Sequence, residues 1–191
     1  MKLKKISPFS TLEESNLKLL NDLMKKKIFK KQSTLIEQGD FANHIIFLTS
    51  GIVASIYQIK SKQFVRDFYF DPMIFTEQES FEKQIPSRFS VVSVTDIKCK
   101  LISRTDLETA YDTIPSLRNV AYKLLFNGFV NISRRLETLL TLNPEQRYLK
   151  LLNENPKLLQ KIPLKMIASY LGITDVALSR IRKRISRPTR N

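Results

Sequence analysis

The chain has 191 residues, enough for one large domain or two small ones. Apolar residues make up 42% and charged residues 26%, which is typical of a globular rather than a disordered protein. The formal net charge of +14 indicates a polyanionic partner, either nucleic acid or an anionic membrane surface. A lone Cys99 excludes an internal disulfide and a cysteine-rich metal or iron–sulfur cage.

Several functional classes are disfavoured by what the sequence lacks. The first residues, MKLKKISPFSTLEE, contain no apolar core of a signal peptide, and no run approaches the roughly 18 apolar residues of a membrane span. One histidine, one cysteine, four glycines and no paired acid motif offer little to an enzyme. We therefore expect a cytoplasmic protein that is not an enzyme and has no membrane partner, metal or cofactor.

The first part of the chain is predicted to form a short helix followed by strands. Residues 11–27 predict the helix, because Thr11 with the following Leu-Glu-Glu resembles a capping box. From about residue 29 to residue 103, short β-branched and aromatic runs such as NHIIFLTSGIVASIYQI and FVRDFYF alternate with turn signals at Gly39-Asp40, Gly51, Asp71-Pro72 and Pro86-Ser87. This spacing predicts an antiparallel sandwich or barrel. Helices follow, so the predicted class is α+β.

The stretch 116–141 predicts one long helix with an apolar seam. It has no proline, and its apolar residues recur at steps of 3, 4, 3, 4 and 3, as in a heptad repeat (Tyr122, Leu125, Phe129, Ile132, Leu136 and Leu139). The seam indicates a dimer interface; the alternative is that it packs on the β domain of its own chain. Leu124, Val130 and Leu140 lie off the seam and are candidates for that intramolecular contact.

After the break at Asn143-Pro144, the sequence predicts a short helix over 145–153 and then a helix-turn-helix over 167–185. The stretch reads IASYLGITDVALSRIRKRI, with Pro163 suited to a first helical turn and Gly172 in the turn between the helices. Thr174 is a good N-cap for the second helix. The predicted small core shares apolar positions from both helices (Ile167, Leu171, Ile173, Leu178, Ile181 and Ile185), and Ala168 lies where the helices cross.

The second helix carries the residues expected to meet DNA. With Leu178, Ile181 and Ile185 turned inward, its outward face holds Val176, Ser179, Arg180 and Lys183, with Asp175 at its N-terminal end. Arg180 is a candidate for bidentate binding to guanine. The remaining candidates for DNA contact suit phosphates better (Lys165, Thr174, Arg182, Lys183 and Arg184). Residues 147–191 hold eleven Lys or Arg against two carboxylates, so the basic excess is concentrated here; a merely solvated basic face is the alternative.

The whole chain resembles the Crp/Fnr family of bacterial transcription regulators. The resemblance rests on STLIEQGD at 33–40, FLTSGIVASI at 47–56, Glu77 with Ser80-Phe81, and IPLKMIASYLGITDVALSRIRKRI at 162–185. Ser80-Phe81 followed by PSRFS looks like the branch common in Bacteroidetes. The resemblance implies a jelly-roll domain like cyclic-nucleotide-binding domains (1–112), a dimerisation helix (113–143) and a winged helix-turn-helix (144–191). Since the sequence ends soon after Ile185, we expect at most a minimal wing.

The resemblance also implies partners and an effector pocket. The implied partners are double-stranded DNA, a second copy of the chain and RNA polymerase. Family members that bind cyclic AMP carry a Gly-Glu-Leu-Gly-type loop and an Arg-Ser pair. This chain has Thr76-Glu77-Gln78-Glu79 and Arg88-Phe89 at those places, which opposes binding of a cyclic nucleotide.

Three states of the predicted pocket therefore remain open: a cyclic nucleotide, another small molecule touching Glu77, Ser87, Arg88 or Phe89, or an interior filled by side chains.

The oxygen-sensing branch of the family needs several cysteines, and the haem-binding branch needs an axial histidine. Cys99 stands alone, and we expect His44 to be a surface residue in a turn. The predicted function is a homodimeric, sequence-specific transcription regulator not controlled by cyclic AMP; a sensor of an unidentified ligand and a non-specific nucleic-acid-binding structural protein are the alternatives.

Overall fold

The start of the chain differs from its prediction. The computed structural model describes residues 2–154, 156 and 158–185, and it begins with 3₁₀ turns at Lys2–Lys5 and Ser7–Thr11. Helix α1 spans only Glu14–Asp22, so the helix predicted over 11–27 is wrong at both ends. The Thr11 hydroxyl donates to the Pro8 carbonyl at 2.8 Å instead of capping a helix. Residues after α1 are drawn into a sheet, where their backbone groups find partners.

The strands form two four-stranded antiparallel sheets, as expected for a jelly roll. One sheet has the order β1-β8-β3-β6 and the other β2-β7-β4-β5. The strands are β1 Lys25–Phe29, β2 Thr34–Ile36, β3 His44–Ser50, β4 Ile52–Ile59, β5 Lys62–Phe70, β6 Met73–Phe75, β7 Ser90–Ser93 and β8 Ile97–Ser103.

The β3–β4 turn requires glycine. Gly51 has φ +103°, and a Cβ built there would lie 2.5 Å from the Asp96 carbonyl oxygen. His44 begins β3 and is exposed, rather than lying in a turn. Its imidazole pKa is lowered by partial burial and by the charges of Lys27 and Lys25.

The strand β4 is buried on both of its faces. Val53 points into the roll interior, where it packs among residues of both sheets, while Ile52, Ala54 and Ile56 belong to a second core on the outer face. Alternate residues of a strand point to opposite faces, so continuous burial requires cover on each side. The outer cover is the C-terminal helices, and this explains why all five residues of the run IVASI, including Ser55, are buried.

Eight helices complete the described part of the chain. Helix α4 is the long one, within the predicted segment 113–143, and no described helix is long and apolar enough to cross a membrane. The helices after α1 are α2 Gln78–Lys83, α3 Arg104–Thr113, α4 Leu117–Thr141, α5 Pro144–Glu154, α6 Leu158–Lys161, α7 Leu164–Tyr170 and α8 Asp175–Ile185. The predicted α+β class, with a jelly roll, a long helix and C-terminal helices, is confirmed. The residues after Ile185, where a wing was considered, lie outside the described residues.

Candidate nucleic-acid interface and β-roll pocket

Helices α7 and α8 form the helix-turn-helix. Four of the predicted core positions are buried (Ile167, Leu171, Leu178 and Ile181), and so is Ala168, which was predicted where the helices cross. Ile173 is half-buried. Ile185 was expected inside but is exposed, at the last residue of α8 and one turn beyond the buried Ile181. Pro163 precedes α7 instead of lying in its first turn, and its carbonyl accepts from the Ile167 N–H at 3.2 Å.

The turn between α7 and α8 has the predicted chemistry. Gly172 adopts φ +69°, a left-handed conformation that costs glycine little. The Thr174 hydroxyl accepts from the Ala177 N–H at 3.2 Å, so Thr174 caps α8 as predicted. These two residues set the angle at which α8 leaves the turn.

The outward face of α8 is polar and basic, apart from one apolar residue. Val176 has 61% of its surface exposed, and Ser179, Arg180 and Lys183 are exposed beside it. The other positions expected at DNA are also exposed (Lys165, Thr174, Asp175, Arg182 and Arg184). The structure therefore brings the candidate DNA-contacting residues of α8 to one open face.

Arg184 is the exception to a simple phosphate-contact assignment. Its guanidinium pairs with the Glu145 carboxylate of α5, so it already links α8 to α5. The pair is largely solvent-exposed, where ion pairs contribute little, and a phosphate could replace Glu145 as its partner.

Helix α7 docks on the β-roll. The Val65 N–H of β5 donates to Ser169 Oγ at 2.9 Å, and the Phe68 and Tyr170 rings lie 5.2 Å apart. Two arginines, which the sequence analysis did not single out, donate to carbonyls at the C-terminal end of α7. Arg135 of α4 donates to the Tyr170 carbonyl, and Arg147 Nε donates to the Leu171 carbonyl at 3.0 Å. The only sequence signals were that Arg135 lies off the apolar seam of α4 and that Arg147 begins the basic C-terminal stretch.

All six seam residues of α4 are exposed within one protomer. Tyr122 and Phe129 have 69% and 67% of their surface exposed, and the other four are also open to solvent (Leu125, Ile132, Leu136 and Leu139). The seam does not pack on its own β domain. Leu124 does pack against the N-terminal core, as considered, but Leu140 is 76% exposed and makes the apolar face wider than the seam.

Aromatic side chains occupy the interior of the β-roll near the predicted effector pocket. Phe89 is buried, with its ring centroid 5.7 Å from that of Tyr57. The Arg66 guanidinium lies 4.8 Å from the Phe89 ring centroid, and Tyr69 stacks on Phe75 at 4.7 Å. A filled interior was one of the predicted alternatives, but Tyr57 and Arg66, which lie against Phe89, and Tyr69, which stacks on Phe75, were not predicted there.

The polar residues of the predicted pocket are engaged in local structure. A Glu77 carboxylate oxygen accepts from the Ser80 N–H at 2.6 Å and caps α2. Ser87 Oγ donates to the Phe89 carbonyl at 2.7 Å. Arg88 is exposed and pairs with Glu79 at 3.6 Å, so it points to solvent and not into the interior.

Within the described residues, no group of three His, Cys, Asp or Glu side chains could hold a metal ion. Burial raises the pKa of the Cys99 thiol to about 11, which disfavours the reactive thiolate.

Comparisons with known proteins agree with this geometry. Residues 26–113 match the family model of the cyclic nucleotide-binding domain. The chain is similar to the c-di-GMP-responsive global regulator CLP of Xanthomonas campestris, with 15% identity, a TM-score of 0.75 and coverage of 91% of each chain. It is also similar to the catabolite activator protein of Thermus thermophilus, with 17% identity, a TM-score of 0.60 and coverage of 94% of this chain and 87% of that one. A third similar structure is a proposed transcriptional regulator of the Crp/Fnr family from Eubacterium rectale, with 15% identity, a TM-score of 0.71 and coverage of 94% and 86%. No curated protein matches the chain.

Proposed function

The chain has the Crp/Fnr fold, as its motifs predicted, and on that premise we propose that it is a homodimeric, sequence-specific DNA-binding transcription regulator. One observation carries the proposal. A capped helix, α8, presents Val176, Ser179, Arg180 and Lys183 on one exposed face, beside further basic side chains. A helix of this kind, held by a second helix across a short turn, fits the major groove of B-DNA.

The outward residues divide into two roles. Arg180 lies on the exposed face and binds a guanine through O6 and N7, so it contributes sequence discrimination. Lys165, Arg182 and Lys183 bind phosphates and position the helix without reading sequence. Arg184 joins them when a phosphate displaces Glu145.

Dimerisation follows from the exposed apolar face of α4. Six apolar side chains at heptad spacing are costly to leave in water, and a second α4 packed against them removes this cost. Two copies related by a two-fold axis present two recognition helices. The operator is therefore an inverted repeat, with half-site centres about 34 Å apart or a multiple of that distance.

Cyclic AMP does not control this regulator. Phe89, at the position where members that bind cyclic AMP carry a serine, is buried with its ring against Tyr57 and Arg66. Arg88, the expected phosphate ligand, pairs with Glu79 outside. An anionic cyclic phosphate would meet the Glu79 carboxylate instead of free backbone N–H groups. RNA polymerase is the further partner that the fold suggests, and the cytoplasm is the compartment where such a regulator acts.

Selection of bound duplexes from a random pool tests the proposal. We expect enrichment of an inverted repeat by the full chain. Equal recovery of all sequences would contradict specific recognition and favour the non-specific nucleic-acid-binding alternative, since binding by charge alone depends on phosphates and not on bases.

A further inference from the structure

A cavity of about 330 Å³ lies where the β-roll, α4, α5 and α7 meet. It is separate from the outward face of α8 and from the interior around Phe89, because none of those residues lines it. Its lining comes from the β-roll, from α4 and from the C-terminal helices (Asp67 and Phe68, Asn131 and Arg134, and Lys150 and Tyr170, respectively, among others). A ligand there would touch the β-roll, the long helix and the helix-turn-helix at once.

The cavity has one apolar wall and one basic wall. Phe68, Phe70 and Met73 form the apolar wall on the β-roll side. Four cationic side chains from α4 and α5 form the basic wall (Arg134, Arg135, Arg147 and Lys150). Two carboxylates, Asp67 and Glu154, oppose them, which leaves an excess of positive charge. Burial raises the pKa of the Asp67 carboxyl. Asp67, which would repel an anion when ionised, is therefore more easily protonated than an ordinary aspartate.

Neighbouring groups hold three of the cations in place. Arg147 donates to the Leu142 carbonyl at 2.7 Å, and Lys150 Nζ donates to the Thr138 hydroxyl at 2.8 Å. Arg135 lies over the Tyr170 ring, 3.7 Å from its centroid. These contacts leave further N–H donors on each side chain, since a guanidinium has five and an ammonium three. Donors fixed before a ligand arrives lower the entropic cost of binding it.

We propose that this cavity binds a small organic anion, with a carboxylate or phosphate head on the basic wall and an apolar body against Phe68, Phe70 and Met73. Arginine forks match both kinds of head geometrically. The volume is at the lower end of small-molecule sites, which fits a single ring or a short chain.

Such an anion would act on the position of the helix-turn-helix. It would bridge the β-roll to Arg135 and Arg147, the two side chains that hold the C-terminal end of α7. A ligand that binds the docked arrangement better than an undocked one shifts the population toward it. This regulatory consequence depends on the proposed DNA-binding function, whereas occupancy of the cavity does not.

The test is calorimetric titration of the full chain, without DNA, with phenyl phosphate, inorganic phosphate and benzyl alcohol at constant ionic strength. We expect saturable binding of phenyl phosphate and much weaker binding of the other two, which each lack one half of the ligand. Arg134→Gln should weaken phenyl phosphate by roughly tenfold, the effect of one charge-assisted contact. Lys123→Gln removes a charge from an exposed position of the same helix outside the cavity, and its affinity should be unchanged.

Three results would overturn the proposal. The first is the absence of saturable heat when phenyl phosphate is titrated into the wild-type chain. The second is an equal loss of affinity in Lys123→Gln, which would indicate general charge attraction. The third is equal affinity for inorganic phosphate, which would remove the apolar part of the assignment. Since no DNA is present, each of these results leaves the DNA-binding proposal standing.

Discussion

The Arg135 guanidinium lies 3.7 Å from the centre of the Tyr170 ring and donates to the Tyr170 carbonyl, so one side chain of α4 holds both the ring and the backbone at the end of α7. A cation over an aromatic face and a donor at a helix C-terminus are each stabilising. Burial nevertheless raises the pKa of the Tyr170 phenol to about 12, against the lowering effect of the Arg135 charge. The docking of α7 therefore depends on Tyr170 staying neutral.

Alkaline pH should weaken this docking through Tyr170. The folded phenol holds its proton more tightly than the unfolded one, whose pKa is about 10, so its stabilising contribution is complete below about pH 10 and is lost as pH rises towards 12. Between about pH 9 and pH 11, wild type should lose about 1 kcal/mol of unfolding free energy more than Tyr170→Phe. Urea unfolding of both proteins at the two pH values measures this difference. Equal losses would mean that Tyr170 titrates normally in the folded protein.

The stability of Gly172 variants should depend on the free energy that each side chain costs in the left-handed backbone conformation. Gly172→Ala should destabilise the protein by about 1 kcal/mol, and Gly172→Asn by less, because asparagine enters this region more readily. A Cβ at Gly172 would meet no atom within 4 Å, so only the backbone conformation matters. Urea unfolding provides the measurement. A much larger loss for alanine would show that the turn has a contact beyond its backbone conformation.

The exposed seam of α4 should hold the dimer together. Phe129→Glu with Ile132→Glu should yield monomers in sedimentation, because buried, unpaired carboxylates oppose helix pairing. Asn127→Glu with Asn131→Glu adds the same charge to the other side of the same helix and should leave the dimer intact. A dimeric Phe129/Ile132 variant would place the interface elsewhere.

Substitution of Arg180 should reduce sequence discrimination, whereas substitution of Lys183 should reduce affinity for any DNA sequence. Arg180→Ala should weaken the selected operator by roughly 1–3 kcal/mol and leave a scrambled duplex nearly unchanged. Lys183→Ala should weaken both duplexes alike and lower the salt slope by about 1 per subunit. Binding titrations across salt concentrations measure both effects. If Arg180→Ala weakens both duplexes equally, Arg180 contacts phosphate and other residues read the sequence.

Cyclic AMP should find no site in the β-roll. Calorimetry at millimolar cyclic AMP should give no saturable heat, because Phe89 is buried where a nucleotide-binding pocket would open and Arg88 is paired outside. Adenosine, which lacks the phosphate, should also give no saturable heat. A micromolar dissociation constant for cyclic AMP would mean that Phe89 moves aside at low cost.

Local sequence patterns were sufficient for the helix-turn-helix. Apolar spacing, the left-handed Gly172 and the Thr174 cap act within a few residues of chain, and all three are present as predicted. The long helix was predictable for the same reason, since 3.6-residue periodicity is a local property. Local patterns were less reliable at the ends of helices. The capping-box resemblance at Thr11 predicted a helix from 11 to 27, but a 3₁₀ turn ends at Thr11 and a strand begins at Lys25.

Contacts between distant parts of the chain depend on the fold as a whole. Sequence could not place Ser169 against Val65, Arg135 against Tyr170 or Tyr57 against Phe89, because these partners lie far apart along the chain. The same long-range contacts bury β4 on both faces and create the cavity between the three parts of the protein. Local patterns alone were enough to locate the capped helix α8 with its exposed basic face and the exposed apolar seam of α4. The folded chain decided what fills the roll and what holds α7, because packing depends on the simultaneous positions of many distant side chains.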